Sequence, residues 1–214
     1  MSMGAFLEGH DLECTRGDRV LFSGLHLRAD TGQGLHVGGE NGSGKTSLLR
    51  ILCGLLVPNA GQVSWNGMPI RRQREDYGSN LVYVGHVNSV KDDLSAAENL
   101  HFGAALAGRP VDPQRIRGAL ETFDMASRAT LPTRVLSQGQ KRRVALARLL
   151  LAQDVPLWIL DEPFTALDVR GVAVLRGVIE AQLARGGIVV LTTHQDVGLP
   201  ASIARLDLAM MEPA

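Results

Sequence analysis

Apolar positions along this chain follow two periods that take turns. Over residues 1–37 the short apolar runs LECT, RVLFSGLHLRA and GLHVGG alternate with turn residues and predict strands. After GLHVGG the spacing becomes helical, and KTSLLRILCGLL keeps an apolar face up to Val57, where Pro58 is expected to stop it. QVSWNGMPI contains Asn66-Gly67, a two-residue hairpin signal, and NLVYVGH at 80–86 reads as another strand. From about 88 to 135 the pattern is helical and broken by loops, with Asp112-Pro113 opening one helix. Strand character returns in VPLWILDEP (155–163) and GIVVLTTH (187–194), with a helix from about Val169 to Ala184 between them. Strands alternating with helices predict an α/β fold with a mostly parallel sheet core and helices on its faces. The stretch 88–135 is expected to be a helical lobe inserted into that core.

Composition narrows the picture. The 214 residues, 45% of them hydrophobic, suffice for one large domain or two joined lobes. With 22 basic and 22 acidic residues the formal charge is zero, so no nucleic-acid partner is expected. The mixed-sign run RRQRED (71–76) reads as a solvated loop. Cys14 and Cys53 have no metal-binding spacing; Cys53 lies in an apolar helical run, and a buried thiol in a reducing cytosol is the expectation. No apolar stretch approaches the ~18 residues of a membrane span, and the N-terminus lacks a signal-peptide pattern. Work at a membrane would therefore need a partner to hold the chain there.

Three stretches carry chemistry. Gly39, Glu40, Asn41, Gly42, Ser43, Gly44, Lys45 and Thr46, followed by Ser47, match the P-loop between a strand and a helix. Its glycines let backbone N–H groups wrap phosphates, Lys45 reaches the β- and γ-phosphates, and the Thr46 hydroxyl ligates Mg2+. LWILDE is an apolar strand that delivers Asp161 and Glu162 to the carboxyl edge of the sheet beside that loop. Asp161 is expected to hold the metal, and Glu162 to orient or deprotonate the attacking water. LSQGQ (136–140), in front of the helical run KRRVALARLLLA, is a second anion-binding helix start, capped by Ser137. One molecule has little use for two phosphate cradles.

Taken in order, GENGSGKT, LSQGQ, LWILDEP, the ALD of 166–168 and the histidine of LTTHQD resemble the ATP-binding subunits of ABC transporters over nearly the whole chain. The resemblance implies a P-loop NTPase of ABC type: one ATP-binding domain over 1–214, with a core (1–87 and 136–214) that has an N-terminal antiparallel β portion, and a helical subdomain (88–135). It implies ATP as substrate and Mg2+ as cofactor. It also implies a head-to-tail dimer in which Ser137 and Gly139 of one copy serve the triphosphate held by the other, with Asp168 where the copies touch. His194 corresponds to the family histidine at the γ-phosphate and joins Glu162 and Lys45 as catalytic. Three departures stand out. Arg16 replaces the ring that stacks on adenine, and is a candidate base contact or a plain surface residue. Gln138 replaces a signature glycine. His86 or Val87, depending on alignment, replaces the lobe-joining glutamine.

VLFSGLHL, GKTSLLRILCGLL, YVGH and the Gln-Gly-Gln signature, with FTALD beside TTHQD, are most similar to the haem-exporter subunits of cytochrome c maturation. That likeness implies a peripheral position on the cytoplasmic face of a bacterial inner membrane, with integral membrane partners, and ATP hydrolysis driving haem handling. Direct haem binding is not expected, since no cysteine spacing or exposed histidine pair suggests it. Two other readings remain: a soluble ABC ATPase for cofactor or complex assembly, or the subunit of another small transporter. A nucleotide-binding scaffold without catalysis is a third, prompted by the missing glutamine.

Overall fold

The computed structural model describes residues 4–208. In chain order they form β1 (Phe6–Arg16), β2 (Arg19–Asp30), β3 (Gly34–Gly38), α1 (Lys45–Leu52), β4 (Ala60–Trp65), β5 (Met68–Pro69), α2 (Arg74–Ser79), β6 (Leu81–Val84), α3 (Ala96–Leu106), α4 (Pro113–Thr122), α5 (Gln138–Ala147), β7 (Leu157–Leu160), α6 (Val169–Ala184), β8 (Ile188–Thr192) and β9 (Ile203–Asp207). The chain divides into two compact units. The first takes the described residues up to Tyr83, then Val155–Glu162 and those from Ala181 onward; the second takes Val84–Asp154 and Pro163–Glu180.

The first unit is built on two sheets. One has the order β6-β7-β8-β3-β9, and the pairs β7–β8, β8–β3 and β3–β9 are parallel. Every residue of β7 and β8 is buried, as continuous apolar runs in central parallel strands require. β9 has no such run in ASIARLD and was not legible in the sequence; pairing with β3 alone makes it a strand. The other sheet is antiparallel, in the order β2-β1-β4-β5. Leu7, Leu12, Phe22 and Leu25 from this sheet share one core with Val37, Leu48, Leu49, Leu52, Ile159 and Val190.

The Asn66-Gly67 hairpin forms as expected, with φ of 53° and 78°, the left-handed pair of a type I′ turn. A bulge interrupts β1 at His10-Asp11, and there Gly61 is obligatory: a Cβ on it would lie 2.2 Å from the Asp11 carbonyl oxygen. The same bulge sets the exposed His10 and His26 rings edge to face, 4.6 Å apart. An exposed histidine pair therefore exists, against the sequence expectation, because cross-strand neighbours are not neighbours in the chain.

Two further expectations need correction. α1 ends at Leu52, not near Val57. Gly54 adopts φ 70°, its N–H bonds Ile51 O, and Leu55 N–H bonds Arg50 O, which together close a Schellman turn before Pro58 acts. RRQRED is not a loop but a 3-10 turn leading into α2, though its charges are solvated as expected. Gln73 anchors it by donating to the carbonyls of Trp65 and Met68 at 3.0 and 2.8 Å.

In the second unit, helix starts follow local capping. Ser95 and Glu98 form a capping box on α3, Asp112 with Pro113 opens α4, and Ser137 with Gln140 forms a capping box on α5. Leu100, Ile116, Leu120, Phe123, Met125, Val144 and Leu149 are buried in this unit.

Candidate functional site

The P-loop runs from the end of β3 into α1, and its backbone explains its glycines. Gly39, Gly42 and Gly44 have φ of 130°, 81° and 101°, and a Cβ on Gly39 would meet Ser43 Oγ at 2.7 Å. The loop wraps Lys45, whose Nζ donates to the carbonyls of Gly39 and Glu40 at 2.7 and 2.8 Å. The ammonium is thus held at the loop's centre. Ser43 Oγ is buried without a hydrogen-bond partner, a polar group placed where a phosphate oxygen would satisfy it.

At the end of β7, Asp161 is 1% exposed and both of its oxygens are engaged. Thr46 Oγ1 donates to Oδ2 at 3.0 Å, and Thr192 Oγ1 to Oδ1 at 2.9 Å. Thr46 and Asp161 therefore present two hard oxygens side by side. That set suits Mg2+, which takes one or two protein oxygens and completes its shell with water and phosphate. Among the described residues no group of three or more His, Cys, Asp and Glu side chains could hold a metal. Burial, and then the Asp161 charge, push the Cys53 thiol well above the usual range, which keeps it an unreactive packing group.

Glu162 follows with φ 48°, a left-handed conformation that costs a non-glycine residue about 1–2 kcal/mol. Its N–H donates to Thr192 Oγ1 at 2.8 Å, so one threonine hydroxyl ties both acids to β8. Its carboxylate oxygen Oε1 lies 3.4 Å from Nε2 of His194, whose side chain is half exposed. In the first unit, then, Lys45, Thr46, Asp161, Glu162 and His194 come together at one sheet edge. Arg16 lies exposed at the end of β1, against Arg19 of β2.

The other predicted residues belong to the second unit. His86 is exposed. Ser137 is the N-cap of α5, accepting from Gln140 N–H at 3.3 Å. Gly139 has an intrachain reason to be glycine: a Cβ there would lie 2.6 Å from the carbonyl oxygen of Ala166, itself at φ 63°. Two residues on, Asp168 accepts both oxygens' worth of bonds from Arg143 Nη2 at 2.7 and 2.8 Å and caps Gly171 N–H at 2.8 Å. The ALD segment and the start of α5 are thereby clamped together.

The Gly171 N–H, and then the Arg143 guanidinium, hold the Asp168 carboxyl below the usual aspartate range. A lowered native value means the contribution is present above the unfolded pKa of about 3.9 and is lost as pH falls through the native one. Urea midpoints followed from pH 7 to pH 3 should therefore show an acid-side loss that Asp168→Asn removes.

Sequence reasoning missed Thr192, Arg142 and Arg143. Arg142 is 3% exposed; its guanidinium donates to the carbonyls of Gly85 and Pro163 at 3.0 and 3.2 Å and to Asn88 Oδ1 at 3.3 Å. It ties the loop after β6 to the residue that follows Glu162. Its signal was phase: Arg142 falls in step with the buried Leu146 and Leu149, inside the apolar stripe of the helical run.

The chain is similar to known proteins over most of its length. The ABC transporter family matches residues 22–165. The cytochrome c biogenesis ATP-binding export protein CcmA of Nitrosomonas europaea is 52% identical over 89% of this chain and 89% of its own. That of Nitrosospira multiformis is 51% identical over 94% of this chain and 98% of its own. Among solved structures, an ABC transporter ATP-binding protein of Pyrococcus furiosus superposes with a TM-score of 0.84 at 26% identity, covering 97% of this chain and all of that one. By motif order, fold and near-full-length identity, this chain belongs to the ABC transporter family of ATP-binding proteins, among the cytochrome c biogenesis ATP-binding export proteins.

Proposed function

We propose that the chain hydrolyses ATP as the peripheral subunit of a membrane complex serving c-type cytochrome biogenesis, with haem handling as the work driven. The observation that carries this reading is the cluster at the edge of the parallel sheet: Thr46 on Asp161, and Glu162 beside His194. In this reading the P-loop amides and Lys45 bind the triphosphate, and Thr46 with Asp161 hold Mg2+. That ion would supply charge neutralisation at the triphosphate. Glu162 takes the proton of the attacking water, and His194 fixes the γ-phosphate. Arg16 packs on the base.

Ser137 and Gly139 act on a second copy's nucleotide, which gives the second anion cradle its use, and Asp168 lies at the contact between copies. His86 stands in for the lobe-joining glutamine. The whole chain is one ATP-binding domain. Among the described residues no helix is long and apolar enough to cross a membrane. In this reading integral partners hold the chain at the cytoplasmic side. The name shared by relatives at about half identity over most of the chain supports the biogenesis assignment.

Co-expression with its integral membrane subunits, followed by detergent purification, tests this. The chain should be retained in stoichiometric amounts and should release phosphate several-fold faster in the complex than alone. Quantitative recovery in the soluble fraction with unstimulated turnover would favour a cytosolic assembly ATPase instead.

A further inference from the structure

We infer that His36 is a positioning residue for His194, acting through the peptide bond that joins Thr193 to it. The inference rests on the reading of His194 as the γ-phosphate contact. β3 is an inner strand, and His36 stands in it opposite Leu191 of β8 and Arg205 of β9. His36 is itself partly buried, while its neighbours Leu35 and Val37, on the other face of the strand, are buried. The partly buried imidazole finds a protein partner for one of its ring nitrogens.

His36 Nε2 lies 3.0 Å from the carbonyl oxygen of Thr193, 157 residues away in sequence. A carbonyl only accepts, so Nε2 carries the hydrogen and donates. The location of this bond is what gives it a role. The ladder between β3 and β8 ends at Val37 opposite Thr192, and the next residue of the chain is Thr193. The ring therefore adds one further link between the strands, just beyond the last backbone pair.

Thr193 is anchored a second time, where its Oγ1 accepts from Gln195 N–H at 3.1 Å and closes a turn around position 194. Thr193 is 6% exposed, whereas the His194 side chain is 50% exposed. A buried, twice-held residue thus carries an exposed ring. Because the peptide is planar, fixing the Thr193 carbonyl fixes the N–H of His194 and the plane from which its side chain departs. His36 and His194 also line the same recess, of about 560 Å3, beside Gly38 at the end of β3 and Gly39 of the P-loop. A reacting geometry displaced by about 1 Å loses rate on the order of a hundredfold, so the orientation of one peptide is enough to matter.

The test is a double-mutant cycle on the ATPase complex, with kcat, KM and Tm measured for His36→Phe, His36→Gln, His194→Ala and the two doubles. His36→Phe should lower kcat roughly five- to twentyfold with KM shifted less than about twofold, the range expected of a misplaced catalytic group. His36→Gln, whose amide N–H reaches a similar position, should recover most of that loss. In the His194→Ala background His36→Phe should change kcat by less than about twofold, as for groups acting in series. Equal losses in both backgrounds, or a Gln variant as impaired as Phe, would overturn the proposal. Full activity of His194→Ala by itself would instead strike down the underlying reading of His194. Should the Phe variant not fold, His36→Ala, which adds no bulk to the strand, takes its place in the same cycle with the same expectations.

Discussion

Glu162→Gln should reduce steady-state phosphate release about 10^2- to 10^4-fold while leaving nucleotide binding intact. Gln has the same shape, so the left-handed backbone at 162 and the N–H bond to Thr192 persist. What disappears is the acceptor 3.4 Å from His194 that can take a proton from water. With binding kept and turnover stopped, the nucleotide-bound form should accumulate as a dimer, measured by sedimentation of the variant with excess Mg-ATP. Turnover within threefold of wild type would place the base elsewhere and weaken the pairing of Glu162 with His194 as the hydrolytic centre.

Gly139→Val should cost about 1–3 kcal/mol of stability, as overpacking does in a close-packed interior, and should abolish ATPase activity. Steric contact is the cause. Any Cβ at 139 starts 2.6 Å from the Ala166 carbonyl, and the loop that carries Ala166 cannot swing aside freely. Asp168, two residues on, is held by both of its contacts with Arg143 and by the Gly171 cap. The Ser137 corner must move instead, taking with it the helix start proposed to meet the partner's phosphates. Thermal unfolding should fall by roughly 2–4 °C per kcal/mol for a chain of this size. Gln138→Gly is the matched control: Gln138 is exposed, and its replacement should shift stability by less than about 1 kcal/mol.

Much of the fold was legible because it is governed by neighbours in the chain. Asp112 with Pro113, the Ser137 cap, and Asn66 with Gly67 each act within one turn, and each formed as read; the Ser95–Glu98 capping box is equally local but was not read. The end of α1 was misread for a local reason of the same kind. Helical spacing in LLRILCGLLV outweighed Gly54, whose left-handed backbone closes the helix and leaves Leu55 and Val57 about two-thirds exposed. β9 lacked any such signal, since a half-exposed edge strand needs neither an unbroken apolar run nor strict alternation.

The chemistry divides in the same way. Backbone demands and side-chain types that lie together in the chain singled out the glycine-rich loop, the acids after β7, the Ser137 helix start and the histidine after β8 as candidates, and motif order pointed to the family. Only the tertiary structure decided which groups hold these in place. Thr46 meets Asp161 across 115 residues, Thr192 reaches Glu162 across 30, His36 reaches Thr193 across 157, and Arg143 clamps Asp168 across 25. Such hydrogen bonds last over about 3 Å, and no spacing rule along a chain specifies which distant residue arrives within that range. Sheet order and register do, and these follow from how the whole apolar core packs.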